Sequence, residues 1–294
     1  MTRIRADLLL LACAAIWGFA FLFQKSAMAH IGPLTFVAAR GLLAALVLMP
    51  LALIEHRRSN IPVSKSFMMT GILAGAAFTV GSFLQQSGLK TASVTNTAFL
   101  TSLYVVATPF ISFALHRSAI PPLVWLAVVL SFVGTWLLGG GTLTSFGVGD
   151  WLVASSAFFW ALHLVIAGVA APMGRSVLFS VVQFVVVGLS ALIAALMFET
   201  ITLAGLRAAS IDILYVGVLS TALTFTILTM SLRATSPSEA AIIVMTETLF
   251  AAFGAWLVFN ERLTFVGALG AAAILAAAII VQLQLVRNGS AKNV

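Results

Sequence analysis

Shifting the sequence by 143 residues lays it over itself without a gap. Asp7 then falls on Asp150, Trp17 on Trp160 and Phe36 on Phe179. Leu89-Lys90 falls on Leu232-Arg233, Ser93 on Ser236 and Phe110 on Phe253. One offset thus holds from the first apolar stretch almost to the last. A chain duplicated in this way builds two similar units, and the number of membrane crossings per unit fixes how they relate. With an odd number, the second unit enters the bilayer from the side opposite to the first.

Ten apolar runs supply the crossings, at about 7–26, 33–54, 67–88, 94–115, 121–138, 150–171, 177–198, 211–232, 238–259 and 265–286. About 20 apolar residues carry a helix across a bilayer. The chain is 62% hydrophobic and only 8% charged, where a soluble domain holds roughly a quarter charged residues. Gly, Ala, Ser and Thr recur inside the runs and allow close helix contacts in lipid, and the short alternating segments of a β-barrel are absent. The expected fold is an all-α polytopic membrane protein. Ten transmembrane helices form two inverted five-helix repeats, residues 1–143 and 144–286, followed by a tail at 287–294.

The basic residues orient this arrangement. With the N-terminus inside, the inner face collects Arg3, Arg5, Arg57, Arg58, Lys65, Arg117, Arg175, Arg233, Arg287 and Lys292. The outer face holds only Lys25, Lys90, Arg207 and Arg262, so both termini are expected in the cytoplasm. Scattered over short loops, these charges speak against nucleic-acid binding despite a formal net charge of +7. Arg3 and Arg5 ahead of Leu8 to Leu11 imitate a secretory signal. The apolar run continues past Phe21, however, and its repeat mate around Trp160 lies mid-chain, so the segment is expected to remain as the first span. Cys13 is the single cysteine, which excludes an internal disulfide and a thiol metal cluster. No Walker-type phosphate loop, metal-spaced cluster or nucleophile with credible partners is present, so neither a cofactor nor enzyme chemistry is expected.

Polar residues inside the apolar runs carry the functional signal, because a charge at bilayer depth costs at least several kcal/mol (~3) by insertion scales. Glu247 lies mid-span between Thr246 and Thr248, with no basic residue within a helical turn. It is either a protonatable group facing a cavity or a neutral acid bonded to a neighbouring helix. Arg40, whose repeat mate is Gln183, either meets a substrate carboxylate or ties down helix-end carbonyls. His163 stands one turn after Trp160 on the same face, as a helix contact or as part of a pathway. Phe78, Ser82 and Gln85 share near-helical spacing, and their mates are Thr221, Phe225 and Leu228. This mixed aromatic and hydroxyl surface suits an amphipathic small molecule, or else a packing stripe. Asn96 and Glu239 align at span beginnings, where Ser236-Pro237-Ser238-Glu239 has the form of a capping box.

Several stretches resemble the drug/metabolite transporter superfamily and its EamA branch. They are Ala14-Ala-Ile-Trp-Gly18, Ala38-Ala-Arg-Gly41, the segment from Ser87 to Leu103, and above all Leu232 to Phe265. The likeness covers essentially all ten spans, although Thr248 stands where family members often have Pro after the glutamate. It implies ten helices in two inverted repeats and transport of small metabolites. The chain is similar to the family's YddG-type exporters of aromatic and neutral amino acids. Related small multidrug exporters carry a glutamate in the first helix; Leu8 to Phe23 has no acid, which argues against cationic drugs.

The expected function is secondary transport in a bacterial inner membrane. Small metabolites, foremost aromatic and other neutral amino acids, would be exported by alternating access through a cavity between the repeats. Trp17, Phe78 and Trp160 would stack on substrate, and Ser82, Gln85, His163 and Thr221 would bond to it, with Asn96, Phe99, Leu100 and Met245 as further contacts. Glu247 and His163 are the candidates for proton coupling. The expected partners are a small-molecule substrate and the lipid bilayer, with no nucleic acid and no obligate protein partner. Rival readings are export of a drug or another metabolite, a lipid flippase, and a non-transporting membrane scaffold.

Overall fold

The computed structural model describes residues 1–59, 62–116, 121–138, 147–260, 262 and 264–290. Every regular element among them is helical. In the first half these are α1 (Arg3–Ala27), α2 (Pro33–Arg58), α3 (Lys65–Leu89), α4 (Val94–Thr101), α5 (Tyr104–His116) and α6 (Pro122–Leu138). In the second they are α7 (Val148–Ala170), α8 (Ser176–Phe198), the short α9 (Leu203–Ala208) and α10 (Ser210–Leu214), then a π-helical segment, Tyr215–Leu223. α11 (Thr224–Ser231), α12 (Pro237–Val244), α13 (Glu247–Phe259) and α14 (Phe265–Ser290) complete the chain. Among the described residues, eight stretches are long and apolar enough to cross a membrane. This takes α4 with α5, α10 through α11, and α12 with α13 as single stretches. Two shorter apolar helices, Pro122–Leu137 and Phe265–Ile280, account for the remaining expected runs. The linker beginning at Gly139 lies outside the described residues, as do Arg117, Glu261 and Lys292.

Three of the expected runs are not uniform helices. After α4 the backbone bonds tighten to three-residue spacing: Val105 N–H donates to Ser102 O (2.9 Å) and Val106 N–H to Leu103 O (3.0 Å). After α12 the same pattern recurs, with Thr248 N–H to Met245 O and Leu249 N–H to Thr246 O, both at 3.0 Å. Hydroxyls take part in both interruptions: Ser102 donates to Phe99 O and Thr246 to Ile243 O, each at 2.7 Å. Such back-bonding competes with the helical ladder and bends it. The third irregularity is the π segment, whose wider turn re-aims backbone groups.

Packing follows the small residues. α2 lies against α8, where a Cβ on Gly41 would stand 2.9 Å from Gly188 N, so neither helix tolerates a side chain at the crossing. α6 lies against α14 through Gly134, whose Cβ would stand 2.8 Å from Gly270 O. α3 packs along α7, and α1 packs against α11, α13 and the π segment. Exchanging the two halves of the chain maps α2–α8 and α6–α14 onto themselves, α3–α7 onto α1 with α11 and the π segment, and α1–α13 onto the contact of α5 with α7.

Charged side chains fasten the helix ends. Glu199, just after α8, accepts from Leu34 N–H (2.9 Å), Thr35 N–H (2.8 Å) and the Thr35 hydroxyl (2.7 Å) at the start of α2. Glu55, near the end of α2, accepts from Leu178 N–H (2.8 Å) and Val177 N–H (3.3 Å) at the start of α8. Each helix of the pair thus caps the other. Arg3 at the start of α1 donates to Glu239 (2.9 Å) and Ala234 O (3.2 Å) around the α11–α12 turn, where Ser236 and Glu239 form a capping box. Lys25 at the far end of α1 donates to Leu89 O (2.7 Å) and Ala92 O (2.9 Å) of the α3–α4 turn. Gly149, at the beginning of α7, packs on that same turn, its Cβ position 2.7 Å from Gly88 O.

Candidate functional site

The helices that carry small residues leave a cavity of about 600 Å³, counted to its solvent-open mouth. α1 contributes Trp17, Phe21 and Gln24, α2 Arg40, α3 Gln85, and the α4–α5 interruption Thr101 and Tyr104. The second half contributes Trp160, His163 and Leu164 from α7, Ser220, Phe225 and Leu228 from the π segment and α11, and Val244 and Glu247 from the α12–α13 interruption.

Aromatic rings make one wall. Trp160 stacks on Phe225 with centroids 6.0 Å apart, and Trp17 tilts onto the same ring at 4.7 Å. The two tryptophans are repeat mates, but their indole N–H groups bond differently. Trp160 donates to Gln85 Oε1 (2.7 Å), and Gln85 in turn donates to Gln24 Oε1 (3.1 Å). Trp17 donates to Ser220 O (2.8 Å), a carbonyl of the π segment that the Thr224 hydroxyl also reaches at 2.7 Å. His163 Nε2 donates to Gln183 Oε1 at 2.8 Å, which fixes the ring edge-on to Phe225 at 5.4 Å.

Two charged residues face the same space. Arg40 is buried; its Nε donates to the Thr221 hydroxyl (2.9 Å), and its guanidinium carbon stands 5.4 Å from the centre of the Phe78 ring. That is cation–π range. Glu247 is buried as well and accepts from the Tyr104 hydroxyl at 3.2 Å. Among the described residues neither is seen with an oppositely charged partner. A guanidinium and a carboxyl group therefore line one apolar cavity without pairing with each other. No group of three or more metal-ligating side chains occurs among the described residues.

Residues 4–140 match the EamA-like transporter family, and residues 147–283 match it again. The chain belongs to the EamA-like transporter family. An uncharacterized transporter of Archaeoglobus fulgidus is 28% identical over 284 residues, covering 96% of this chain and 87% of that protein. A solved structure described only as the crystal structure of a protein superposes with a TM-score of 0.79. It covers 97% of this chain and 99% of the other at 16% identity, and so speaks to the fold alone. This EamA protein is a multi-pass integral membrane protein, and both the family and the relative indicate a transporter rather than an enzyme.

Within this EamA protein the residues singled out from sequence separate into three groups. Trp17, Gln85, Trp160, His163 and Glu247 reach the cavity together. Phe78, Ser82, Thr221 and Met245 stand behind its lining rather than on it. Phe78 is fully buried edge-on to Trp160, His163 and Phe225, and Thr221 is buried as the acceptor for Arg40. Ser82 is buried one turn from Gln85, and the Met245 sulfur receives the Thr135 hydroxyl at 3.6 Å. Asn96, Phe99 and Leu100 lie elsewhere. Asn96 sits in the first turn of α4, its N–H on the Ser93 hydroxyl, while Phe99 and Leu100 pack with Val153. Helical spacing along span 3 put Phe78 and Ser82 on the face of Gln85, but α3 is wedged between α7 and α8, and of these three only Gln85 reaches the cavity lining.

Gln24, Thr101, Tyr104 and Ser220 line the cavity without being among the residues expected from sequence, and Arg40 was open to two roles. A signal existed for Tyr104: it lies 143 residues before Glu247, the repeat offset itself.

Proposed function

We propose that this EamA protein moves neutral amino acids, aromatic ones included, in their zwitterionic form. The observation that carries the reading is that two ionisable groups of opposite type, Arg40 and Glu247, line one cavity walled by Trp17, Trp160 and Phe225 without pairing with each other. The guanidinium fork suits a substrate carboxylate, the Glu247 carboxylate suits its ammonium group, and the rings take an apolar side chain. Each charge of the ligand then replaces water with an opposite charge, which makes burial of the zwitterion tolerable.

In this reading ten helices cross an inner membrane as two inverted repeats, 1–143 and 144–286, with a tail at 287–294 and both termini cytoplasmic. The end of α1 and the beginning of α7 meet at one turn, which supports opposite directions for these repeat mates. The repeats rock about the cavity, and the direction is export. Phe78 and Thr221 position the ring wall and Arg40, with Ser82 and Met245 filling the layer behind. Asn96, Phe99 and Leu100 serve the packing of α4.

Analogues lacking one charge test this reading. In proteoliposomes, phenylalanine should move at least about thirtyfold faster than phenethylamine or phenylpropionate, since leaving one buried charge unpaired costs about 2–5 kcal/mol. Equal flux of either analogue would discard the zwitterion. Glu247 faces Tyr104, Arg40 and His163 across the cavity, and an imposed pH gradient shows whether Glu247 or His163 adds a proton to the cycle. Gradient-driven flux assigns antiport, and gradient-independent flux assigns facilitated diffusion.

A further inference from the structure

Tyr104 and Glu247 are equivalent positions of the two halves, and they touch through the Tyr104 hydroxyl and Glu247 Oε1. Each is the first residue after an interruption, Tyr104 opening α5 and Glu247 opening α13. A contact between repeat mates lies where an axis relating the halves passes. Any motion that exchanges the roles of the halves returns that contact to itself, so it remains available whichever way the cavity opens.

A carrier that moves its substrate in net fashion must also return empty. During that step the substrate's ammonium group is gone, and a carboxylate is left in an apolar cavity. Leaving such a group without a donor is costly in a low-dielectric interior. Arg40 does not step in: it is held by Thr221 and Phe78 and makes no ion pair with Glu247. His163 is turned through Nε2 to Gln183. The Tyr104 hydroxyl is the donor in place.

We propose that Tyr104 substitutes for the substrate's ammonium group at Glu247 whenever the carrier is empty. It is thus a positioning residue for the return step rather than a substrate contact. This rests on the zwitterion reading above. The loaded carrier needs no substitute, because the ammonium group occupies Glu247. Tyr104 therefore governs net transport, in which the carrier returns empty, and leaves exchange, in which it returns loaded, largely to Glu247 itself.

The two modes separate in proteoliposomes of the full chain. Efflux of labelled phenylalanine into buffer reports net transport, and efflux into unlabelled phenylalanine reports exchange. Tyr104→Phe should lower the ratio of net to exchange flux about tenfold relative to the wild type, the scale of losing one donor to a buried charge. In a Glu247→Gln background, where no carboxylate remains, Tyr104→Phe should leave the ratio unchanged. A wild-type ratio in Tyr104→Phe, or a further fall on Glu247→Gln, overturns the inference. The chain has two tyrosines, so Tyr215→Phe leaves Tyr104 as the sole reporter, with position 104 native. Infrared difference spectra should then show the Tyr104 C–O band shifting when phenylalanine saturates the protein, and no shift overturns the proposal without any change at Tyr104. Wild-type vesicles that move phenylalanine in neither mode sink the zwitterion reading together with this inference. Wild-type flux with an unchanged ratio in the variant sinks this inference alone.

Discussion

At the scale of single residues, Trp160 offers two properties that substitution separates: ring area against Phe225 and an N–H for Gln85. Trp160→Phe keeps most of the ring contact and removes the donor. With a net value of about 1 kcal/mol for such a bond, KM for phenylalanine should rise about fivefold. Trp160→Ala removes the wall as well, and its flux should fall by more than about fivefold, as should that of His163→Ala, which leaves the buried Gln183 amide without its partner. Unchanged flux in well-folded Trp160→Ala and His163→Ala would show that substrate does not use this wall. These residues were legible from sequence because tryptophan pairs at the repeat offset, and polar groups in apolar runs, each demand an account. Phe225 was placed on a candidate surface as the mate of Ser82, whereas Tyr104 was passed over: an aromatic side chain in a span reads equally well as a lipid-facing anchor or core filler, and its one signal was its offset from Glu247. Arg40 was visible as a charge, but its direction depended on Thr221 and Phe78 from other helices, which no single helical period reveals.

At the scale of elements, the reciprocal caps make α2 and α8 one unit. Glu199 closes the start of α2 and Glu55 the start of α8, so four backbone N–H groups that a helix leaves open find carboxylates. Each cap should contribute about 1–2 kcal/mol. Glu55→Ala and Glu199→Ala should then each lower the melting temperature by roughly 2–8 °C, with additive effects in the double variant because the caps sit at opposite ends of the pair. A thermal-shift series on purified protein checks this, and a double variant no worse than either single one would show that the caps do not act separately. In sequence both glutamates fall just outside the apolar runs 33–54 and 177–198, and nothing there assigns either a helix to cap. Helix lengths were legible because crossing a bilayer sets them, and the runs expected from 33, 121 and 238 begin within one residue of the helices at Pro33, Pro122 and Pro237, where proline suits a first turn. The interruptions after Thr101 and Val244 were not, because no glycine or proline marks them and the apolar run continues through Ser102 and Met245. They arise from hydroxyl back-bonding and from the packing of two halves against each other, which hydropathy does not register.

At the scale of the whole molecule, everything proposed for transport depends on the halves entering the membrane from opposite sides. The contacts make this specific. Arg3 joins the α11–α12 turn, whereas Lys25 and Gly149 share the α3–α4 turn. α1 thus starts at one end of the molecule and α7 at the other, although they are repeat mates. The proposed orientation puts in the cytoplasm the end that carries Arg57 and Arg58 at the end of α2, Arg175 before α8 and Arg3, away from Lys25. Cys13, the single cysteine, is buried, so Cys13→Ser provides a background for labelling. Thr2→Cys and Val148→Cys place thiols at two exposed positions just before α1 and at the start of α7. A membrane-impermeant maleimide should label position 148 in right-side-out vesicles and position 2 only after inversion. The opposite assignment would preserve the inverted repeat and reverse its orientation in the membrane. Labelling of both positions from one face would break the inversion, and with it the alternating access that gives the empty return of Glu247 its meaning.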